Sequence, residues 1–297
     1  MSAPAPGFPA PGFRLGISRD VLDARGEPSF GRRALDVLTE HPAIEWEYIP
    51  EELAEVTPEV AARYDGLYVN TPRVTRASVG RGDRRVRIVA RHGVGFDSVD
   101  VDALTERGIV LTNTPDAIRR PMAVAALTLV FALAGRLLVK DRLVRENRWA
   151  ERTAHMGLGL TTRTLGVVGV GGIGRELLGL ARPFFGRMVA ADPYAGAGAV
   201  RALGAELLPL DDLLPEADFV VVSCPLNRDT FHLIGAAGCG GCGRAPISST
   251  SPAAPSWTKR RWWRRCRRAP SPAPAWTCSS RSRSGPTTPS PAWTPWC

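Results

Sequence analysis

A glycine-rich turn near the middle of the chain has the residue types and spacing that point most directly to chemistry. Gly169, Gly171 and Gly174 form a G-x-G-x-x-G pattern, which follows a β-branched run and precedes a helical one. The first glycine permits a tight turn from strand to helix, the second lets the backbone approach a pyrophosphate, and the third lets helix and strand pack closely. The helix N-terminus adds unpaired N–H groups and a favourable dipole. The turn therefore predicts a pyrophosphate-binding loop.

Asp192 extends this prediction to a whole dinucleotide. It ends the next predicted strand, "RMVAADPY", about twenty residues beyond the glycines. There a carboxylate accepts hydrogen bonds from the adenosine ribose hydroxyls and repels a 2′-phosphate, so NAD is favoured over NADP. A third predicted strand, residues 219–223, runs into Cys224 and Pro225, and we expect its end to lie under the cofactor. Cys224 is interpreted as a packing residue whose backbone is useful, with a nucleophilic role as the alternative.

The elements that must hold these residues alternate between strand and helix. Strands are predicted in "FRLGIS", "IEWEYIP", "YDGLYVN", "RRVRIVA" and "IVLTNTPD", then in residues 165–170 and the two segments above. Helices are predicted in "VDALTERG", "RELLGLARPF" and "SFGRRALDVLTEHP", the last with an apolar face of Ala34, Leu35, Val37 and Leu38. Short connections between such elements indicate an α/β fold, with parallel sheets covered on both faces.

A long apolar helix is predicted over residues 120–149. Its first half is apolar almost all round, which is typical of a helix buried between domains. Arg136, Lys140 and Asp141 make it too charged for a membrane span, and no other run approaches the ~18 uncharged apolar residues that a span needs. We therefore expect no membrane association.

Charge and cysteine divide the chain at about residue 238. Of 38 basic residues, ten lie in residues 239–297, which contain no Asp or Glu, so the net charge of +9 belongs to this tail. Five of the six cysteines and six of the eight tryptophans also lie there. A single cysteine in the first 238 residues indicates a reduced, cytoplasmic protein. The first 12 residues, rich in Pro, Ala and Gly, are predicted to be a disordered leader and not a signal peptide.

From about residue 60 to residue 237 the chain carries, in this order, "RHGVGFDSVD", "GIVLTNTPD", "TLGVVGVGGIGREL", "DPY" and "LLPEADFVVVSCPLNRDTFHLIG". By the order and spacing of these motifs it resembles the D-isomer-specific 2-hydroxyacid dehydrogenases. The resemblance implies a flavodoxin-like substrate domain over residues 13–118 and a Rossmann NAD-binding domain, here incomplete, over residues 119–238. The implied activity is hydride transfer between NAD and a small 2-hydroxy or 2-oxo acid, and relatives' dimers suggest a homodimer.

The resemblance also implies roles for individual residues. Val94 and Gly95 would contact the substrate carboxylate or the nicotinamide end of the cofactor. Gly172 and Ile173 would cover the pyrophosphate, Asp192 would hold the ribose, and Cys224 would lie by the adenosine. The family's catalytic Arg, Glu and His all come later in its sequence, and none of His41, His92, His155 or His232 stands in the expected context. No catalytic residue is therefore assigned.

The genetic code offers an explanation for this loss. If one base is missing near Gly238, each original codon joins the last base of one residue's codon to the first two of the next. Tryptophan has one codon, so Trp257-Thr258 must have been aspartate and Trp262-Trp263 valine. Read this way, "ISSTSPAAPSWTKRRWWRRC" becomes "LINVARGPVVDEAALVEAL", which the family carries next. The catalytic Arg then spans Pro252-Ala253 and the Glu spans Arg281-Ser282, while the His falls beyond Cys297. We interpret residues 239–297 as a frameshifted, mostly disordered tail.

A second class of function stays open at this point. A non-catalytic nucleotide-binding remnant could use the Arg/Trp-rich run 259–268 to bind nucleic acid or anionic surfaces without sequence preference. Salt-dependent DNA binding that disappears on deletion of residues 239–297 would favour it. Cys239 and Cys242 have the spacing of half a zinc site, but a full site needs two more ligands, so no metal is predicted.

Overall fold

The computed structural model describes residues 12–227, 229–231 and 233–234. The chain divides into two compact units between Ala117 and Ile118, and each unit is described by itself. The predicted disordered tail and all but the last residue of the predicted leader lie outside the described residues. So does His232, and so do the cysteines beyond Cys224.

The first unit contains a five-stranded parallel sheet. Its strands are β1 (Phe13–Ile17), β2 (Ile44–Tyr48), β3 (Gly66–Val69), β4 (Ile88–Arg91) and β5 (Val110–Thr112), in the order β2-β1-β3-β4-β5. All neighbouring strands pair in parallel. This order is the 2-1-3-4-5 arrangement of flavodoxin-like folds, in which the carboxyl ends of the central strands form a ligand crevice. The predicted α/β class is confirmed here.

Three helices connect these strands: α1 (Arg33–Thr39), α2 (Pro58–Arg63) and α3 (Val101–Glu106). The Thr57 side chain accepts a hydrogen bond from Val60 N at 3.4 Å and begins α2, and Asp100 accepts one from Ala103 N at 2.9 Å and begins α3. The predicted apolar face of α1 is only half right. Leu35 and Leu38 are partly covered, whereas Val37 is 57% exposed and Ala34 is also exposed, because only one i, i+3 pair of a short helix turns inward.

The second unit contains a four-stranded parallel sheet of β6 (Thr164–Val168), β7 (Arg187–Ala191), β8 (Glu206–Leu207) and β9 (Phe219–Val222). The strand order is β8-β7-β6-β9, which matches the first four strands of the Rossmann order 3-2-1-4-5-6. Four shorter helices accompany it, α5 (Leu137–Arg145), α6 (Gly172–Ala181), α7 (Ala197–Ala202) and α8 (Leu210–Glu216), after the longer α4 (Arg119–Ala134).

Both faces of this second sheet are covered. Alternate residues of β6 point to opposite sides: Val167 packs with apolar residues of α4 and α6, and Val168 packs with Leu213 and Leu214 of α8. The near-continuous apolar strands are those of a sheet buried on both faces. The expectation of a doubly covered parallel sheet is confirmed for this unit.

The single helix predicted over residues 120–149 is wrong, because the segment forms two helices, α4 and α5. They are bent by 60° at a break where Arg136 has φ of +50°, a backbone conformation that disfavours helix continuation. Buried residues occupy one face of α4, while Val124 and Phe131 are exposed, so the helix is not apolar-buried all round. Among the described residues no single helix has the length and hydropathy of a membrane span, and α4 and α5 reach those values only when they are counted together.

Candidate functional site

The glycine-rich turn begins where β6 ends. Gly169 has φ of +93°, and its N–H donates to the Ala191 carbonyl at 2.8 Å. A Cβ at this position would lie 2.6 Å from Cys224 N and 2.8 Å from Cys224 Cα. Only glycine satisfies both the backbone conformation and this close approach of β9. The first glycine of the motif thus makes the tight turn that the sequence predicts.

The two following glycines lie at the N-terminus of α6 and are exposed. Gly171 precedes the helix, and a Cβ there would meet no atom within 4 Å. Gly172 is the first helical residue, and a Cβ there would lie 2.9 Å from Cδ and 3.1 Å from Cγ of Arg119. The space at the Cβ position of Gly171 is therefore open, while a basic side chain from α4 lies across Gly172.

Gly174 allows the helix to pack against the turn. It is buried, and a Cβ there would overlap the Gly169 carbonyl oxygen. The same oxygen accepts a hydrogen bond from Ser223 Oγ at 2.7 Å, and Val170 O accepts one from Arg175 Nε at 3.0 Å. Ile173 is half-buried between Gly172 and Gly174. These contacts fix the carbonyl groups of Gly169 and Val170 between the end of β9 and α6.

Asp192 follows β7 directly and joins the second strand end to the loop. Its Oδ2 accepts a hydrogen bond from Val170 N at 2.7 Å, and its Oδ1 accepts one from Tyr194 N at 2.8 Å. The half-buried carboxylate is thus fixed in orientation beside the glycine turn. Each oxygen retains acceptor capacity for a further hydrogen bond, because an ionised carboxylate offers about four lone-pair sites.

Cys224 and Pro225 follow β9 on the other side of the turn. Burial, together with the charge of Asp192, raises the pKa of the Cys224 thiol. The thiol therefore carries less thiolate than an ordinary cysteine at neutral pH, which favours the packing interpretation over the nucleophilic one. Pro225 is exposed, and its carbonyl accepts a hydrogen bond from Thr230 Oγ1 at 2.6 Å.

Val94 and Gly95 lie in the first unit, in the exposed loop that follows β4. The loop is held at two points: Gly93 N donates to Thr114 Oγ1 at 3.1 Å, and Asn113 Nδ2 donates to Val94 O at 2.9 Å. These two predicted substrate residues therefore belong to a different unit from the glycine-rich turn.

The structure adds three contributors to the turn that sequence reasoning missed: Ser223, Arg175 and Arg119. The sequence contained a signal for Ser223 and Arg175, since each is a polar residue adjacent to a residue of the predicted site. Arg119 had none, because it is more than fifty positions before Gly172. Within the described residues, no three His, Cys, Asp or Glu side chains are grouped so that they could hold a metal ion.

Comparison with known proteins identifies a family with matching sequence and fold. Residues 127–243 match the family model for the D-isomer specific 2-hydroxyacid dehydrogenase, NAD binding domain. A glyoxylate reductase of Thermococcus onnurineus is 35% identical over 221 residues, which cover 72% of this chain and 65% of that protein. A D-3-phosphoglycerate dehydrogenase of Mycobacterium bovis is 38% identical over 184 residues, which cover 62% of this chain but only 34% of that one.

Solved structures agree on the fold. The D-lactate dehydrogenase of Aquifex aeolicus, crystallised with NAD and lactic acid, superposes with a TM-score of 0.74 over 88% of this chain and 76% of its own, at 18% identity. The chain spans 65% of the length of the glyoxylate reductase above. The resemblance found in the sequence motifs is confirmed by the family model and by these relatives. The chain belongs to the D-isomer specific 2-hydroxyacid dehydrogenase family.

Proposed function

We propose that this chain binds NAD at the glycine-rich turn and derives from an oxidoreductase that transfers a hydride between NAD and a small 2-hydroxy or 2-oxo acid. The observation that carries the proposal is the fixed Asp192 carboxylate, held by Val170 N and Tyr194 N beside the turn. The start of α6 is open at Gly171, where an added Cβ would meet no atom within 4 Å, and the N-terminus of a helix is suited to binding a pyrophosphate. The family model for these residues is that of an NAD-binding domain.

Each residue of the turn has a defined task in this proposal. The N–H groups at the start of α6 bind the pyrophosphate, Arg119 adds positive charge beside Gly172, and Asp192 binds the ribose hydroxyls. Ile173 covers the pyrophosphate, and the backbone at Cys224 and Pro225 packs by the adenosine. When bound, NAD supplies the hydride-transfer chemistry. On the first unit, Val94 and Gly95 bind the substrate carboxylate.

The substitution Gly171→Ala, which adds one methyl group, tests the cofactor site. Gly171→Ala adds a Cβ that meets no protein atom, and Gly171 has φ of −71°, which alanine adopts freely. The variant should therefore unfold at the wild-type temperature, yet bind NADH about tenfold or more weakly, because the methyl occupies the space of the pyrophosphate and each ~1.4 kcal/mol is tenfold in affinity. Calorimetric titration measures the affinity for NADH, and a thermal melt measures the unfolding temperature.

Gly179→Ala is the matched control. Gly179 lies on the exposed side of the same helix, and a Cβ there also meets nothing within 4 Å. It should leave NADH affinity unchanged. Equal NADH affinity in wild type and Gly171→Ala would show that the pyrophosphate lies elsewhere, and no NADH binding by the wild type would refute the cofactor proposal itself.

We further propose that turnover by this chain is close to background. The family's catalytic Arg, Glu and His follow residue 235, where the sequence leaves the family pattern, and a one-base frameshift near Gly238 accounts for that departure. A cytoplasmic location and a homodimer complete the proposal. The first is supported by the single cysteine in the first 238 residues, and the second by the resemblance to dimeric relatives.

A further inference from the structure

One face of the first sheet is covered less completely than the other. The pleat directs Leu67, Val69 and Val89 to one side, where they are fully buried with apolar residues of α2 and α3. The opposite side, here called the open face, carries one row of paired residues across the five strands: Trp46, Leu15, Gly66, Ile88 and Val110. In this row Trp46, Leu15 and Ile88 are only partly buried, and Val110 is 55% exposed. The described residues therefore leave this apolar face partly uncovered.

The edge of the sheet beside α1 is the least protected part of this unit. Strand β2 pairs with β1 alone among the described strands, so its other edge is free. Helix α1 has no buried residue, and its Val37 is 57% exposed. Free sheet edges and uncovered apolar surface are the features at which other chains associate.

The charges along this edge are of one sign. Residues 34–62, which extend from α1 through β2 into α2, carry eight acidic side chains and no Lys or Arg. Glu47, Glu51 and Glu59 pair with arginines from outside this segment. Four others are exposed and make no ion pair with a described residue: Asp36, Glu40, Glu45 and Glu52. The complementary partner for this edge is therefore basic.

The chain itself contains a segment of this chemistry. Residues 257–268, "WTKRRWWRRCRR", hold seven basic side chains, three tryptophans and no acidic side chain. Arginine and tryptophan are the side chains most enriched at the centres of protein–protein interfaces. Tryptophan supplies apolar area and arginine supplies ion pairs to carboxylates. This basic run therefore matches both properties of the surface, the apolar open face and the unpaired carboxylates.

We propose that the surface formed by α1, β2 and the adjoining open face binds the basic run, residues 257–268, of a second copy of this chain. Each copy carries both members of the pair, so it binds one neighbour through its acidic surface and another through its basic run. Such a heterologous contact continues from copy to copy, whereas the two-fold contact of a dimer closes on itself. This association does not depend on NAD binding or on hydride transfer.

Sedimentation of the full chain, under reducing conditions and after nuclease treatment, tests the association. At about 0.1 M salt, species larger than a dimer should accumulate as the chain concentration rises. They should dissociate at about 1 M salt, where the Debye length falls from ~10 Å to ~3 Å. The proposal is overturned if no species exceeds a dimer, if salt does not weaken the association, or if the larger species occur only before nuclease treatment, because nucleic acid then bridges the copies.

Neutralising the acidic surface tests where the basic run binds. The triple variant Asp36→Asn, Glu40→Gln, Glu45→Gln should weaken the association at least about tenfold, the combined effect of losing three exposed ion pairs. All three side chains are exposed and unpaired among the described residues, so the variant should melt at the wild-type temperature. Wild-type association of this variant would overturn the proposal.

The matched control is the triple variant Asp102→Asn, Asp211→Asn, Asp212→Asn. It removes the same charge from exposed side chains on α3 and α8. It should associate as the wild type does. Equal weakening in both triple variants would mean that net charge, and not the surface at α1 and β2, governs the association, and would overturn the proposal.

A synthetic peptide of residues 257–268 tests the basic run. Added to the full chain at about 0.1 M salt, it should bind and disperse the larger species. A second peptide with alanine at Trp257, Trp262 and Trp263 keeps all seven positive charges and should compete at least about tenfold more weakly, because the open face is apolar. Equal competition by the two peptides, or none by either, would overturn the proposal.

Discussion

At the residue scale, His92 shows how strongly the end of β4 perturbs a side chain. Its Nδ1 hydrogen-bonds the hydroxyl of Tyr68, and its ring lies 5.6 Å from that of Phe30. Burial, followed by the charge of Arg91, lowers the pKa of His92, and the charge of Asp20 only partly opposes this. His92 is therefore neutral in the folded protein at neutral pH.

This lowered pKa predicts a loss of stability on acidification. Below the ordinary histidine pKa of about 6.5 the unfolded chain takes up a proton that the folded chain does not, so unfolding becomes more favourable as the pH falls. The thermal midpoint should fall more between pH 7.5 and 5.5 in the wild type than in His92→Gln. His155→Gln, a histidine outside this cluster, should follow the wild type. Parallel pH curves for wild type and His92→Gln would contradict the prediction.

At the element scale, the conformation of the glycine-rich turn depends on how closely α6 approaches β6 and β9. The motif predicts this approach, but it does not say which atoms meet. In the structure the contact is between Gly174 and the Gly169 carbonyl, which Ser223 also binds. The prediction of one long helix over residues 120–149 failed for a related reason. The apolar pattern continues across the break at Arg136, so the pattern does not show where the helix ends.

Gly174→Ala should therefore damage folding where Gly171→Ala does not. The added Cβ overlaps backbone, which cannot rotate away as a side chain can, so we expect a loss of about 1–3 kcal/mol in the free energy of unfolding, the range typical of overpacking. Gly179→Ala in the same helix should be neutral or slightly stabilising. Chemical denaturation of the three variants measures this. A wild-type stability for Gly174→Ala would mean that α6 does not pack this closely.

At the scale of the whole molecule, the chain combines a nearly neutral body with a strongly basic tail. Residues 1–238 carry 28 basic and 29 acidic side chains, and the remaining 59 carry ten basic and none acidic. The family model ends at residue 243, close to this change in composition. A frameshift and a selected basic tail make different predictions. A frameshift predicts that the family's catalytic His is encoded beyond Cys297 in the original frame, and that a protein with the repaired reading frame is catalytically active.

Repair of the reading frame should restore catalysis. We expect NADH oxidation with glyoxylate or hydroxypyruvate to be close to background for the present chain, because no His follows residue 235 and, on the frameshift proposal, the family's catalytic Arg and Glu are not read in frame there. A version with one base inserted near codon 238, extended to its own stop codon, should turn over faster by several orders of magnitude. Normal turnover by the present chain would contradict the frameshift proposal, as would resequencing that finds no missing base.

Sequence alone determined the α/β class, the family, the glycine turn and the position of Asp192, because each follows from local periodicity or from fixed spacing along the chain. Only the tertiary structure decided that Val170 N holds the Asp192 carboxylate, that Arg119 lies across Gly172, and that α4 ends at Ala134. It alone also showed that Nε and Nη1 of Arg91 are buried without a hydrogen-bond partner among the described residues. Such contacts join residues distant in sequence, and their energies depend on desolvation and shape, which spacing does not encode.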